Sequence, residues 1–97
     1  LETRYHSSMS ITAERKAELI QQFKTSENDR GSAQVQVAIL TERIRNITDH
    51  LRTMKKDFAS RRGLLILVGK RTRLLRYLQR TDRGEYLRLV EALGLRR

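Results

Sequence analysis

Apolar residues recur every three or four positions along most of this chain, and strand-type alternation is nearly absent. That period predicts helices. Its clearest run is Val37, Leu40, Ile44, Ile47, Leu51 and Met54, a heptad seam without error. It predicts a long helix from Ser32, a suitable N-cap, to about Arg52–Met54. A second long helix is expected from about Ser60 to Arg80, with Leu64, Leu67/Val68, Leu74/Leu75 and Leu78 as its buried stripe. Two shorter helices flank these. One runs from about Thr12 to Phe23, with Thr12 as cap, Glu14 in the first turn, and Ala13, Ala17, Ile20 and Phe23 on one stripe. The other opens at Asp82-Arg-Gly-Glu85, which resembles a capping box, and turns Tyr86, Leu87, Val90 and Leu93 inward. Gly94-Leu95 reads as its Schellman stop.

Loops are expected over residues 24–32 and 55–60. Gly63 and Gly69 each cost their helix roughly 1 kcal/mol, which suggests a close approach of another helix or of RNA. The predicted fold is all-α: a four-helix arrangement in which two long antiparallel helices are covered by two short ones. A helix-turn-helix arrangement is the runner-up, but no three- to four-residue turn joins two short helices.

The chain has 97 residues, enough for one domain. Residues 1–8 lack periodicity and precede Met9-Ser10, so they read as an expression-tag remnant, with the single helical domain over 9–97. There is no Cys and therefore no thiolate site. The longest apolar run, Leu64–Val68, is far below the ~18 residues needed to span a bilayer.

Charge changes the picture most. Residues 1–48 carry 7 Lys/Arg against 6 Asp/Glu, whereas residues 49–97 carry 14 against 5. The excess is mostly Arg, whose planar fork pairs with phosphate in a bidentate way. A polyanionic partner, nucleic acid first, is the direct implication. Lys55, Lys56, Arg61 and Arg62 bracket the second loop, and Lys70, Arg71, Arg73, Arg76, Arg80 and Arg83 run down and past the third helix. An ordinary solvated face would mix signs; this one nearly lacks acids.

Signals for catalysis are poor. His6 lies in the suspected tag, leaving His50 alone, and no HExxH, GxSxG or phosphate-cradling glycine loop is present. Asp57 and Asp82 read as local charge balance. No metal or cofactor is implied. Aromatics are few, with Phe23 expected in the core and Tyr77 beside Arg76 and Arg80 as a stacking candidate. The chain suits the shape of folded, largely double-stranded RNA.

At the second loop, Lys55-Lys-Asp-Phe-Ala-Ser-Arg-Arg-Gly-Leu-Leu65 resembles the "KKD, two residues, SRRGLL" signature of the bacterial small-subunit ribosomal protein S15 family. Gly31-Ser-Ala-Gln-Val-Gln-Val-Ala38 and the ending Leu93-Gly-Leu-Arg-Arg97 match it too, in order and spacing from Met9 onward. The resemblance implies a four-helix protein that binds the central domain of 16S rRNA early in assembly and orders a three-way junction. The proteins numbered six and eighteen then follow. It also implies a bridge contact with the large subunit, repression of its own mRNA in some bacteria, a cytoplasmic location and a free monomer.

Residue by residue, the resemblance assigns the junction to Arg30, Gly31, Gln36, Arg43, Arg73, Tyr77 and Arg80. It assigns an adjacent G·U/G·C minor groove to His50, Asp57 and Ser60, with Arg61 and Arg62 beside them. Asp57, an acid amid cations, needs a donor such as a guanine amino group or His50. Arg30 departs from the family's usual Thr, and Met54 and Phe58–Ala59 stand where His is common, so some secondary contacts are expected to be lost and binding kept. Two other readings share these features. A DNA-binding helical module would show comparable affinity for duplex DNA, and a protein-interaction module would use Val37–Met54 as an intermolecular coiled coil.

Overall fold

The computed structural model describes residues 11–29 and 31–95. The readings of residues 1–8, of Arg30 and of the Arg96–Arg97 tail lie outside the described residues. Four helices and no strand occur among those described: α1 (Ala13–Phe23), α2 (Ala33–Thr53), α3 (Phe58–Thr81) and α4 (Arg83–Leu93). The all-α, four-helix expectation holds.

Helix α2 starts where its cap predicts, with the Ser32 hydroxyl accepting from the Val35 N–H at 3.3 Å. Along its seam Val37, Leu40, Ile44 and Ile47 are buried and Leu51 is half-buried. Met54 departs from the expectation: it is the C-cap, exposed, with its N–H on the His50 carbonyl at 3.0 Å. The loop after it is shorter than composition suggested. The Asp57 carboxylate accepts from the Ser60 N–H at 3.1 Å, so the next helix begins at Phe58 and not at Ser60.

Helix α3 runs antiparallel to α2. The start of α2 (Val37, Ala38) shares a cluster with Leu78 near the end of α3, and Leu40, Ile44 and Ile47 share another with Leu67. The α3 seam is Ser60, Leu64, Leu67, Arg71, Leu74 and Leu78, three and four apart, with two polar members. Arg71 sits between the clusters and donates to the Thr41 hydroxyl at 3.4 Å. The buried Thr41 hydroxyl in turn donates to the Val37 carbonyl at 2.8 Å. Burial, and then the neighbouring Arg45, push the Arg71 guanidinium below its ordinary pKa. Arg71 therefore leaves the exposed basic face on which the sequence put it.

Helix α1 also differs in its inward face. Leu19 is buried, Phe23 packs beside it, and Ala13 and Ala17 are exposed. Arg15 holds the helix to α2 through a fork on Glu42, with nitrogen–oxygen distances of 2.9 and 3.3 Å. Helix α4 follows α3 after one residue. The Asp82 N–H bonds the Leu78 carbonyl at 2.8 Å, ending α3, while its carboxylate accepts from the Glu85 N–H at 3.1 Å, starting α4. Half of the expected box is present, since Glu85 pairs with Arg88 on its own helix. Tyr86, Val90 and Leu93 are buried as expected and Leu89 joins them. Gly94 takes the left-handed conformation at φ 68°, and the Leu95 N–H reaches the Val90 carbonyl at 2.9 Å, completing the Schellman turn.

The molecule measures 41 × 27 × 17 Å, so it is a thin slab. Of the 24 residues of α3, only Ser60, Leu67 and Leu78 are buried. Much of that helix faces out. The α2 seam is filled by its own chain, which removes the surface an intermolecular coiled coil would need. Gly69 does not serve helix packing either: a Cβ there would meet only the Arg73 guanidinium, at 3.9 Å.

Candidate nucleic-acid interface

The candidate residues gather at two places along the α2–α3 pair. The first is an open groove where α1, α2 and α3 meet. Ile39, Leu40 and Leu74 line it together with Gln36 and Arg43 of α2, Lys70 and Arg73 of α3, and Lys16 of α1. Among the described residues, none of these four cations forms an ion pair. Of the carboxylates nearby in sequence, Glu18 and Glu42 are engaged on Arg15, and Glu14 is exposed and does not line the groove. The groove therefore presents uncompensated positive charge over an apolar floor, an arrangement suited to a phosphate backbone.

The loop leading into α2 is fixed by one acid. Asp29 accepts from the Thr25 N–H and hydroxyl, both at 2.8 Å, from the Gly31 N–H at 3.1 Å and from the Ser32 N–H at 2.8 Å. Bonds from Ser32, then Thr25, hold its carboxyl well below the usual carboxylate range. Gly31 is exposed, and its carbonyl accepts from the Gln36 side-chain amide at 2.6 Å. A Cβ at Gly31 would meet nothing within 4 Å, so packing inside the protein does not require glycine there. Tyr77 and Arg80 lie four and seven residues beyond Arg73 on α3, hence on its face. Both are exposed, Tyr77 to 50%.

The second place is the end where α2 hands over to α3. There the structure brings His50, Asp57 and Ser60 together. His50 Nε2 lies 2.7 Å from Asp57 Oδ2, and the Ser60 hydroxyl donates to the same oxygen at 2.7 Å. Ser60 is fully buried, and the side chains of His50 and Asp57 are only 10% and 14% exposed. The Ser60 hydroxyl first, then His50, pull the Asp57 carboxyl down to about 2. Asp57 is thus a helix cap and the centre of a small network, more than local charge balance. Asp82 is likewise a cap. Arg61 and Arg62 are exposed on the first turns of α3, and Arg61 donates to the Lys55 carbonyl at 2.7 Å.

The pattern of residues matched by known families decides what these two places belong to. A family model for ribosomal protein S15 matches residues 16–96, which takes in α1 from Lys16 onward and the whole of α2, α3 and α4. The chain belongs to the ribosomal protein S15 family. Membership makes it a structural, rRNA-binding component of the small subunit, part of the translation ribonucleoprotein in the cytoplasm. No helix among the described residues is long and apolar enough to cross a membrane.

The sequence placed Lys70 in the basic run of the third helix, one turn before Arg73, but not among the junction residues; Lys16 it missed. Only the packing of α1 across α2 brings Lys16 to the groove.

Proposed function

We propose that residues 9–97 act as one domain that recognises a three-way junction and an adjacent G·U/G·C minor groove in the central domain of 16S rRNA. The observation that carries this reading is the acid-free groove of Lys16, Arg43, Lys70 and Arg73, with Gln36 and the open Gly31 loop at its edge. The cations neutralise junction phosphates, and Gln36 and Tyr77 supply selectivity. At the far end of α2, His50 and Asp57 meet base edges and 2′-hydroxyls through the rims of their side chains. Ser60 acts through Asp57, since its hydroxyl is enclosed. Arg30, Arg61, Arg62 and Arg80 add phosphate contacts around these two places. The role is structural and not enzymatic: ordering the junction aids small-subunit assembly, and the loop end reaches the large subunit at a bridge. The free protein is a monomer, and its own mRNA is a second RNA ligand where it copies the junction.

The test is binding to a three-way-junction RNA from the 16S central domain, beside an equal-length hairpin and duplex DNA at physiological salt. Selective junction binding is expected, with His50→Ala and Asp57→Ala each losing about 1–3 kcal/mol on that RNA alone. Equal affinity for all three ligands would leave only the charge argument standing.

A further inference from the structure

At the loop end the selectivity trio faces inward. Ser60 is enclosed, and His50 and Asp57 are bonded to one another. What this end offers outward is different. Phe58 is 70% exposed, the most exposed large apolar residue among those described. Exposed cations surround it in sequence: Lys55 and Lys56 before it, Arg61 and Arg62 three and four residues later on its own helix face. The single nearby acid, Asp57, is directed to His50 and Ser60.

The mounting of Phe58 is rigid. It is the first residue of α3, and the Asp57 cap fixes that first turn through the buried Ser60. An aromatic ring held out on a fixed helical turn loses little freedom when something stacks on it. Most of the ring meets solvent, and its setting is cationic. Protein-binding patches centred on an aromatic are depleted in Lys, so two adjacent Lys point away from a protein partner. A nucleic acid uses both elements at once: an unpaired base takes the ring and its flanking phosphates take the cations.

We propose that Phe58 is a stacking platform for one unpaired nucleobase, with Lys55, Lys56 and Arg62 holding the phosphates on either side. This rests on the rRNA-binding reading above and adds to it a subsite that tolerates any base identity. The Asp57–Ser60 cap positions the platform, and the platform adds a stacking contact beside the one left to the rims of His50 and Asp57.

The experiment uses the central-domain junction RNA carrying 2-aminopurine at each unpaired position in turn. Wild-type protein should change the fluorescence at one position. Phe58→Ala should abolish that change and weaken binding roughly 5- to 100-fold, the range for losing one base–aromatic stack. Phe58→Tyr should keep both signals, and Phe58→Leu should be as weak as Phe58→Ala. Circular dichroism should show all three variants folded, because the ring packs against little. Tight junction binding with no responding position would overturn the platform and leave the rRNA reading intact. So would a Phe58→Leu variant that binds as well as wild type, which would mark an apolar contact with no stacking. Failure of wild type to bind the junction would remove the rRNA reading and the platform with it.

Discussion

Ser60→Ala isolates the network at the loop end. The substitution removes one oxygen from a residue with no solvent exposure and leaves the Ser60 N–H, which caps through Asp57 Oδ1, in place. The loss includes the 2.7 Å bond to Asp57 Oδ2. A hydrogen bond to a charged acceptor contributes about 1.5–3 kcal/mol. Here His50 remains on the same oxygen, which sets the expected loss nearer 1–2 kcal/mol. For a domain of this size that lowers Tm by roughly 5–15 °C at pH 7. The pH dependence is a second signature. The Asp57 carboxyl lies at about 2 in the folded protein, below its ordinary value of 3.8, with the Ser60 hydroxyl as the first cause. A depressed carboxylate contributes stability above its unfolded pKa and loses it as pH falls through the folded one. The Tm gap between wild type and Ser60→Ala should therefore be full at pH 5–7 and close between about pH 4 and 2. Thermal melts by circular dichroism across that range measure it. A gap below 2 °C at pH 7, or one that persists unchanged to pH 2, would refute the network as described.

The groove and the seam give contrasting arginine results. Arg43→Gln and Arg73→Gln should each reduce the salt slope of junction binding by about 0.7–1, measured by titration at several salt concentrations. Arg71→Gln should leave that slope unchanged, because its guanidinium is turned to Thr41. Arg71→Leu should raise Tm by a few degrees, since it removes a half-buried charge that has a single 3.4 Å bond and a like-charged neighbour. Gly94→Ala should cost about 1–2 kcal/mol in thermal unfolding, because the Schellman turn holds φ at 68°.

Where apolar spacing was unbroken, the sequence was sufficient. The α2 seam from Val37 to Ile47 is buried as its heptads predict, and the Gly94 stop lies where expected. Errors came where a polar residue occupies an inward position. The real α1 stripe is Arg15, Leu19 and Phe23, and the Arg at its head made the Ala13–Ala17 stripe look better. Arg71 hides the α3 seam in the same way. The partners that make these positions acceptable, Glu42 and Thr41, lie 27 and 30 residues away. No local pattern can reveal them. The candidate site was legible to a similar extent. Family motifs named Gln36, Arg43, Arg73 and the trio as candidates, but only packing shows that the trio is bonded internally and that Phe58 stands outside it.

The Thr41–Arg71 layer has a consequence for recognition. Sliding α3 along α2 by one turn would carry Arg71 from Thr41 to Ile44 or to Val37 and Ala38, where no acceptor side chain waits. The layer thus admits one register of the two long helices. From Gln36 to His50 is 14 residues of α2, about 21 Å at 1.5 Å per residue. That spacing is set by α2 alone; what the locked register adds is that Arg73 stays beside Gln36 and the Asp57 cap beside His50. On the proposed reading the pair is a ruler, and an RNA that offers both features at another distance engages one end of the slab but not both.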